Sequence, residues 1–196
     1  MKKICVFCGS SMGKDLIYRE KAKELADYLI EHDLTLIYGG ANVGLMKILA
    51  DRMLDAGKEV IGIMPHHLIE KEVAHQNLTQ MIAVESMADR KDLMIEMSDA
   101  FVALPGGFGT LDEVAEVLVL DQLHIIEKPM GLLNVKNYFT GLVTYFELGV
   151  DEGFIRQEHL DNLKLDDDIT GLMNKLTKYK AVTMDKWVRD IKIESK

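Results

Sequence analysis

The sequence predicts an α/β fold, one domain built on a doubly wound parallel sheet with helices on both faces. Three observations carry that expectation. Short apolar runs alternate with helix-period segments, the pattern of β-α-β units. The only prolines, Pro65, Pro105 and Pro129, fall at the ends or beginnings of those runs, where a strand tolerates them. Glycine gathers directly behind three of the runs.

The runs, in order, are Ile4 to Cys8, Leu34 to Tyr38, Val60 to Met64, Met81 to Val84, Ala100 to Leu104 and Met130 to Leu133. Between the first two, Asp15 to His32 sets Tyr18, Ala22, Leu25 and Leu29 on one helical stripe. Gly44 to Ala56 does the same with Leu45, Ile48, Leu49 and Met53. Ser86 is placed to cap a further helix, with Arg90 and Lys91 in its first turn. Beyond the last run, Tyr138 to Leu148 and Ile169 to Leu176 read as helices. Residues 1–178 form the expected domain and 179–196 a tail, with Trp187 as the tail's one large anchor. Right-handed crossovers join such strands.

Composition narrows the function. With 196 residues, 48% hydrophobic and 28% charged, the chain is of ordinary globular make-up and long enough to fold without a disulfide or a metal. The formal net charge of −9 and scattered basic residues lack the footprint a phosphate backbone requires, so nucleic acid is not an expected partner. The first apolar run is too short for a signal peptide and no run reaches transmembrane length, which points to a cytoplasmic protein with no membrane partner. Cys5 and Cys8 have C-x-x-C spacing but lie within an apolar run, so they read as reduced core thiols.

The glycine loops mark the carboxyl edge of the sheet, where ligands of parallel sheets bind. They are Gly9-Ser10-Ser11, Gly39-Gly40-Ala41-Asn42-Val43-Gly44 and Pro105-Gly106-Gly107-Phe108-Gly109-Thr110. Three such loops on one side of a sheet point to a phosphate-bearing ligand. Gly39 and Gly44 have the Walker A spacing, but Leu45 and Met46 stand where lysine and serine or threonine should be; no G-x-G-x-x-G follows the first strand either. Neither a triphosphate with Mg²⁺ nor a nicotinamide cofactor fits.

Pro105 to Glu113 matches throughout the P-G-G-x-G-T-x-x-E signature of the LOG family, once labelled "lysine decarboxylase-like", and the chain resembles that family here. Gly39 to Met46 is similar to its second glycine loop, and Met87-Ala88-Asp89-Arg90-Lys91 to its M-x-x-R-K segment. The likeness runs over roughly residues 4 to 135. Leu120 departs from it, standing where plant members usually carry tryptophan. The resemblance implies a Rossmann-like fold, a homodimer, and removal of ribose 5′-phosphate from a nucleoside 5′-monophosphate, AMP or a cytokinin riboside monophosphate. It implies no metal and no organic cofactor. It also places a substrate contact at Glu72, where a solvated loop carboxylate is the other reading.

Two readings meet at the signature itself. Thr110 and Glu113 fit a capping box, with Thr110 as the helix cap. Against this, Gly106, Gly107 and Gly109 leave amides bare at a helix N-terminus, which suits a phosphate. On the second reading the Gly106 to Thr110 loop holds the phosphate, Glu113 stabilises an oxocarbenium-like ribose or activates water, and Arg90 orients the substrate. Gly9, Ser10, Gly39, Gly40, Gly44, Met87, Lys91, Phe108 and Asp112 complete the expected substrate-binding set. A pyridoxal-phosphate decarboxylase would need a Schiff-base lysine, and none can be picked out. A non-catalytic nucleotide carrier of the same fold is the alternative. His66-His67 lacks the spacing of a metal pair. The signature helix, with Val114, Ala115, Val117, Leu118, Val119, Leu120 and Leu123, is apolar nearly all round and calls for a second surface to cover it, hence the homodimer.

Overall fold

The computed structural model describes residues 1–71 and 73–181. Glu72 and the tail from residue 182, including Trp187, lie outside the described residues. The elements in chain order are β1 (Lys3–Phe7), α1 (Leu16–Glu31), β2 (Thr35–Tyr38), α2 (Gly44–Asp55), β3 (Val60–Pro65), the single turn α3 (His66–Ile69), β4 (Gln80–Val84) and α4 (Met87–Met97). They continue with β5 (Ala100–Ala103), α5 (Phe108–Gln122), β6 (Met130–Leu133), a 3₁₀ turn (Val135–Asn137), α6 (Thr140–Asp151), α7 (Gln157–Asn162), β7 (Leu163–Asp166) and α8 (Ile169–Thr177).

All seven strands are parallel and their order is β4-β3-β2-β1-β5-β6-β7. The sheet is doubly wound, as expected, and the six predicted strands are all present. β7 is the addition. Its Leu-Lys-Leu-Asp pairs only with β6 at the sheet's edge, and only Leu163 is fully buried, so it lacks the continuous apolar run of its neighbours.

Strand alternation divides the core between the faces. Ile4, Val6 and Cys8 pack with Leu25 and Leu29 of α1, Leu45 and Leu49 of α2, and Leu172 of α8. Cys5 and Phe7 pack with Met94 of α4, Val114 and Val117 of α5, and Phe139. Each fully buried leucine contributes about 2 kcal/mol of transfer free energy. The two cysteines therefore occupy opposite faces, so the C-x-x-C spacing makes no redox pair. Both are free and buried, and burial pushes both thiols up.

α1 starts where Asp15 accepts a hydrogen bond from the Ile17 amide at 3.1 Å. α4 starts on Ser86, whose hydroxyl accepts from the Asp89 amide at 3.0 Å, as the sequence predicts. The Arg90 amide, however, donates to the Ser86 carbonyl at 3.1 Å, so Arg90 and Lys91 open the second turn rather than lying in the first. The dipole penalty on their charges is smaller there.

Candidate active site

Strand order reverses between β1 and β5, and the loops leaving these two strands meet at the carboxyl edge of the sheet, the place where a doubly wound fold forms its crevice. The Gly9 amide donates to the Pro105 carbonyl at 3.1 Å, tying the two loops together. The Gly9 carbonyl accepts from the Leu45 amide at 3.1 Å, which brings in the start of α2. Gly44 has a φ of +57°, and a Cβ there would lie 2.3 Å from the Ser10 carbonyl carbon, so no other residue fits. Gly40, at a φ of +79° and accepting from the His75 amide at 2.9 Å, and Gly44 thus act as scaffold.

The third loop leads into α5. The helix begins at Phe108, with Gly107 at the cap position and no side-chain cap. This overturns the capping-box reading: Thr110 is the third residue of the helix, three positions past the cap position at Gly107. The glycines let the chain turn into the helix early. Thr110, 5% exposed, instead lays its hydroxyl against Gly106, where an added Cβ would come within 2.0 Å of it. A Cβ on Gly107 or Gly109 would meet nothing of the protein within 4 Å. Packing does not require glycine at either position. Their bareness leaves the first amides of a fifteen-residue helix open to an anion.

Glu113, one turn further on, is 8% exposed and faces Arg90 instead of the helix start. Arg90 is held on three sides. Its Nε donates to the Ile63 carbonyl at 3.0 Å, its Nη1 lies 3.4 Å from Glu113 Oε1, and its Nη2 sits against Gly39, where a Cβ would be only 1.9 Å away. Burial pushes the Glu113 carboxyl up to about 7; the Arg90 charge opposes the shift and the Asp112 charge adds to it. A carboxyl that takes up and releases a proton near neutrality, locked against a fixed guanidinium, suits general base or acid work.

These groups line one cleft of about 240 Å³, with Ser10, Gly39, Arg90, Gly107, Phe108, Gly109, Thr110 and Glu113 in its wall. Phe108 stands 93% exposed at its edge. Gly9 and Gly106 line an adjoining cavity of about 280 Å³ that also holds Tyr18 and Tyr138. Beside the glycines Gly9, Gly40, Gly44 and Gly106, the expected substrate contacts Met87, Lys91 and Asp112 are also not in the cleft wall. Met87 is exposed at the start of α4. Lys91 and Asp112 pair with each other at 3.1 Å, and Lys91 also reaches Glu116 at 2.7 Å, so they clasp α4 to α5. Leu120 packs under the sheet rather than toward the cleft.

Cys8, Val6 and Met46 line the cleft unpredicted. Tyr138 was also missed, and its hydroxyl donates to the Gly106 carbonyl at 2.5 Å. Its position just past an expected strand end was the available signal. Among the described residues no group of three histidine, cysteine, aspartate or glutamate side chains is placed to hold a metal ion; His66 and His67 sit on the single turn α3.

The profile of a protein family described as "Possible lysine decarboxylase" matches residues 46–176. The chain is 42% identical over 181 residues to a cytokinin riboside 5′-monophosphate phosphoribohydrolase of Arabidopsis thaliana, covering 92% of this chain and 79% of that protein. A second Arabidopsis protein of that description is 46% identical over 154 residues, 79% of this chain and 71% of the relative. Among solved structures, the molybdenum cofactor carrier protein of Chlamydomonas reinhardtii superposes with a TM-score of 0.67 at 21% identity, over 90% of this chain and 96% of that one. The molybdenum cofactor binding protein of Rippkaea orientalis gives 0.68 at 20%, over 91% and 97%. At such identities these two structures share the fold and nothing further follows from them.

Proposed function

The chain belongs to the LOG-type phosphoribohydrolase family, and from that membership we propose that it hydrolyses the N-glycosidic bond of a nucleoside 5′-monophosphate, AMP or a cytokinin riboside monophosphate, to free base and ribose 5-phosphate. The observation that carries the reading is the pair of partly buried Arg90 and buried Glu113 beside the open amides at the start of α5. Phosphate at those amides and the Thr110 hydroxyl anchors the substrate. The sugar then extends toward the pair, and as the bond from C1′ to the base stretches, positive charge grows on the ribose.

Glu113, as carboxylate, offsets that charge and takes a proton from the attacking water. The water oxygen bonds to C1′, the electron pair of the broken bond leaves with the base, and the base takes up a proton. Arg90 orients the substrate and offsets negative charge on the departing group. A Schiff-base decarboxylase needs a lysine in the cleft. No described lysine lines it, and Lys91 is held by two carboxylates.

Incubation with AMP, with adenosine and ADP as controls, tests the reading. Adenine and ribose 5-phosphate should appear from the monophosphate alone. AMP that binds and is returned intact would make the chain a carrier.

The reading includes a homodimer. α6 has no fully buried residue, and Leu111 and Val119 of α5, Leu123 just past its end, and Tyr145 and Leu148 of α6 stand exposed, an apolar surface that a second copy would cover. Light scattering at micromolar concentration should give twice the chain mass, and a monomer there would rule the dimer out. It also includes a cytoplasmic setting, supported by the buried free thiols Cys5 and Cys8. Among the described residues no helix is long and apolar enough to cross a membrane.

A further inference from the structure

Among the described residues the Tyr138 hydroxyl is the one side-chain group that donates to a carbonyl of the phosphate loop, and it does so from outside the catalytic cleft. The Gly106 carbonyl it holds belongs to the same peptide unit as the Gly107 amide. No peptide bond among the described residues is cis, and in a trans unit C=O and N–H point in opposite directions. Gly107 borders both cavities. With the carbonyl drawn toward Tyr138 in the adjoining cavity, the amide is turned toward the cleft.

We infer that Tyr138 is a positioning residue that sets the Gly107 amide for phosphate by pinning the Gly106 carbonyl behind it, an inference that takes the phosphate site from the function proposed above. The Pro105 carbonyl, one residue earlier, is fixed in the same manner by the Gly9 amide at 3.1 Å. Two successive peptide units are thereby oriented before any ligand arrives, and preorganised donors need no rearrangement on binding.

The turn that delivers Tyr138 is built for the task. Lys136 and Asn137 both lie in the left-handed region, with φ of 53° and 59°, although neither is glycine. Such backbone persists where its surroundings over-determine it. Here Lys136 Nζ reaches Asp15 at 2.6 Å, and the buried Asn134 side chain accepts from the Phe139 amide at 2.8 Å. The Tyr138 ring stands edge-on to Tyr18 at 6.1 Å and to Phe139 at 5.3 Å.

Tyr138→Phe keeps the ring contacts and removes the hydroxyl. Calorimetry should show binding of ribose 5-phosphate and of inorganic phosphate weakened about threefold to tenfold. KM for AMP should rise by the same factor, while kcat and affinity for adenosine stay within about twofold and the melting temperature shifts by no more than about 4 °C. Tyr18→Phe, in the same cavity without a bond to the loop, should change none of these. Unaltered phosphate affinity in Tyr138→Phe would overturn the inference. So would a parallel loss of adenosine affinity, the mark of general loosening. Phosphate binding is read without turnover, so a wild-type chain that binds ribose 5-phosphate but releases no adenine from AMP would end the proposed reaction and leave this result standing.

Discussion

Glu113→Gln should lower turnover of AMP about 10³-fold while leaving AMP affinity within a few-fold. The amide matches the carboxyl in size and can still meet Arg90 Nη1, which lies 3.4 Å from Glu113 Oε1. It cannot offset a cationic ribose or accept a proton from water. On the proposed mechanism the carboxylate is the working form, so kcat/KM should climb as pH rises through about 7 and level off above it. The variant should lack that limb.

Stability should move the opposite way. Burial raises the folded-state value from 4.5 to about 7, so the neutral form is the one folding favours. The stability this group contributes is full below its unfolded value and is lost as pH rises through the folded one. At pH 8 the wild type carries that loss, on the order of 3–4 kcal/mol at about 1.4 kcal/mol per pH unit. Glutamine does not, and the variant should melt higher at pH 8 and alike near pH 4. A buried carboxyl held at a cost in stability behaves so. A Glu113→Gln protein that binds AMP and turns it over at near the wild-type rate would remove Glu113 from the chemistry.

The parallel sheet was legible because its central strands are buried on both faces and so stand out as unbroken apolar runs. β7 was not, because its polar Lys164 and Asp166 sit at an edge where burial is partial. The Gly106 to Thr110 loop could be read as an anion site, yet the residue that begins its helix could not. Bare glycines at 106, 107 and 109 leave the chain free to start α5 at Phe108, and no side-chain preference marks that choice. Arg90 and Glu113 lie 23 positions apart on different helices, so no local spacing reveals their contact. Motif likeness picked out both; geometry supplied the pairing and the shared cleft. Lys91, named by the same motif, is the counterexample: one position along α4 turns a side chain by about 100°, enough to send it to Asp112 and Glu116 instead.

Arg90→Gln should cost about 10²- to 10³-fold in kcat/KM, the second largest loss after Glu113. Arg90 is the only cation in the described cleft wall, and its three anchors fix where its charge acts. Removing it also removes the influence that holds the Glu113 carboxyl down against burial, so the rising limb of the pH profile should shift to higher pH. That shift separates an electrostatic partner from a packing residue, because lost packing would lower the rate at every pH without moving the limb. Gly39→Ala tests the same pair with the charge retained. Its new Cβ would fall 1.9 Å from Arg90 Nη2, and the guanidinium must leave its place between Ile63 and Glu113. Turnover should drop at least tenfold although both Arg90 and Glu113 are present. The outcome that would sink the pairing is an Arg90→Gln protein with its limb at the wild-type pH together with a fully active Gly39→Ala protein.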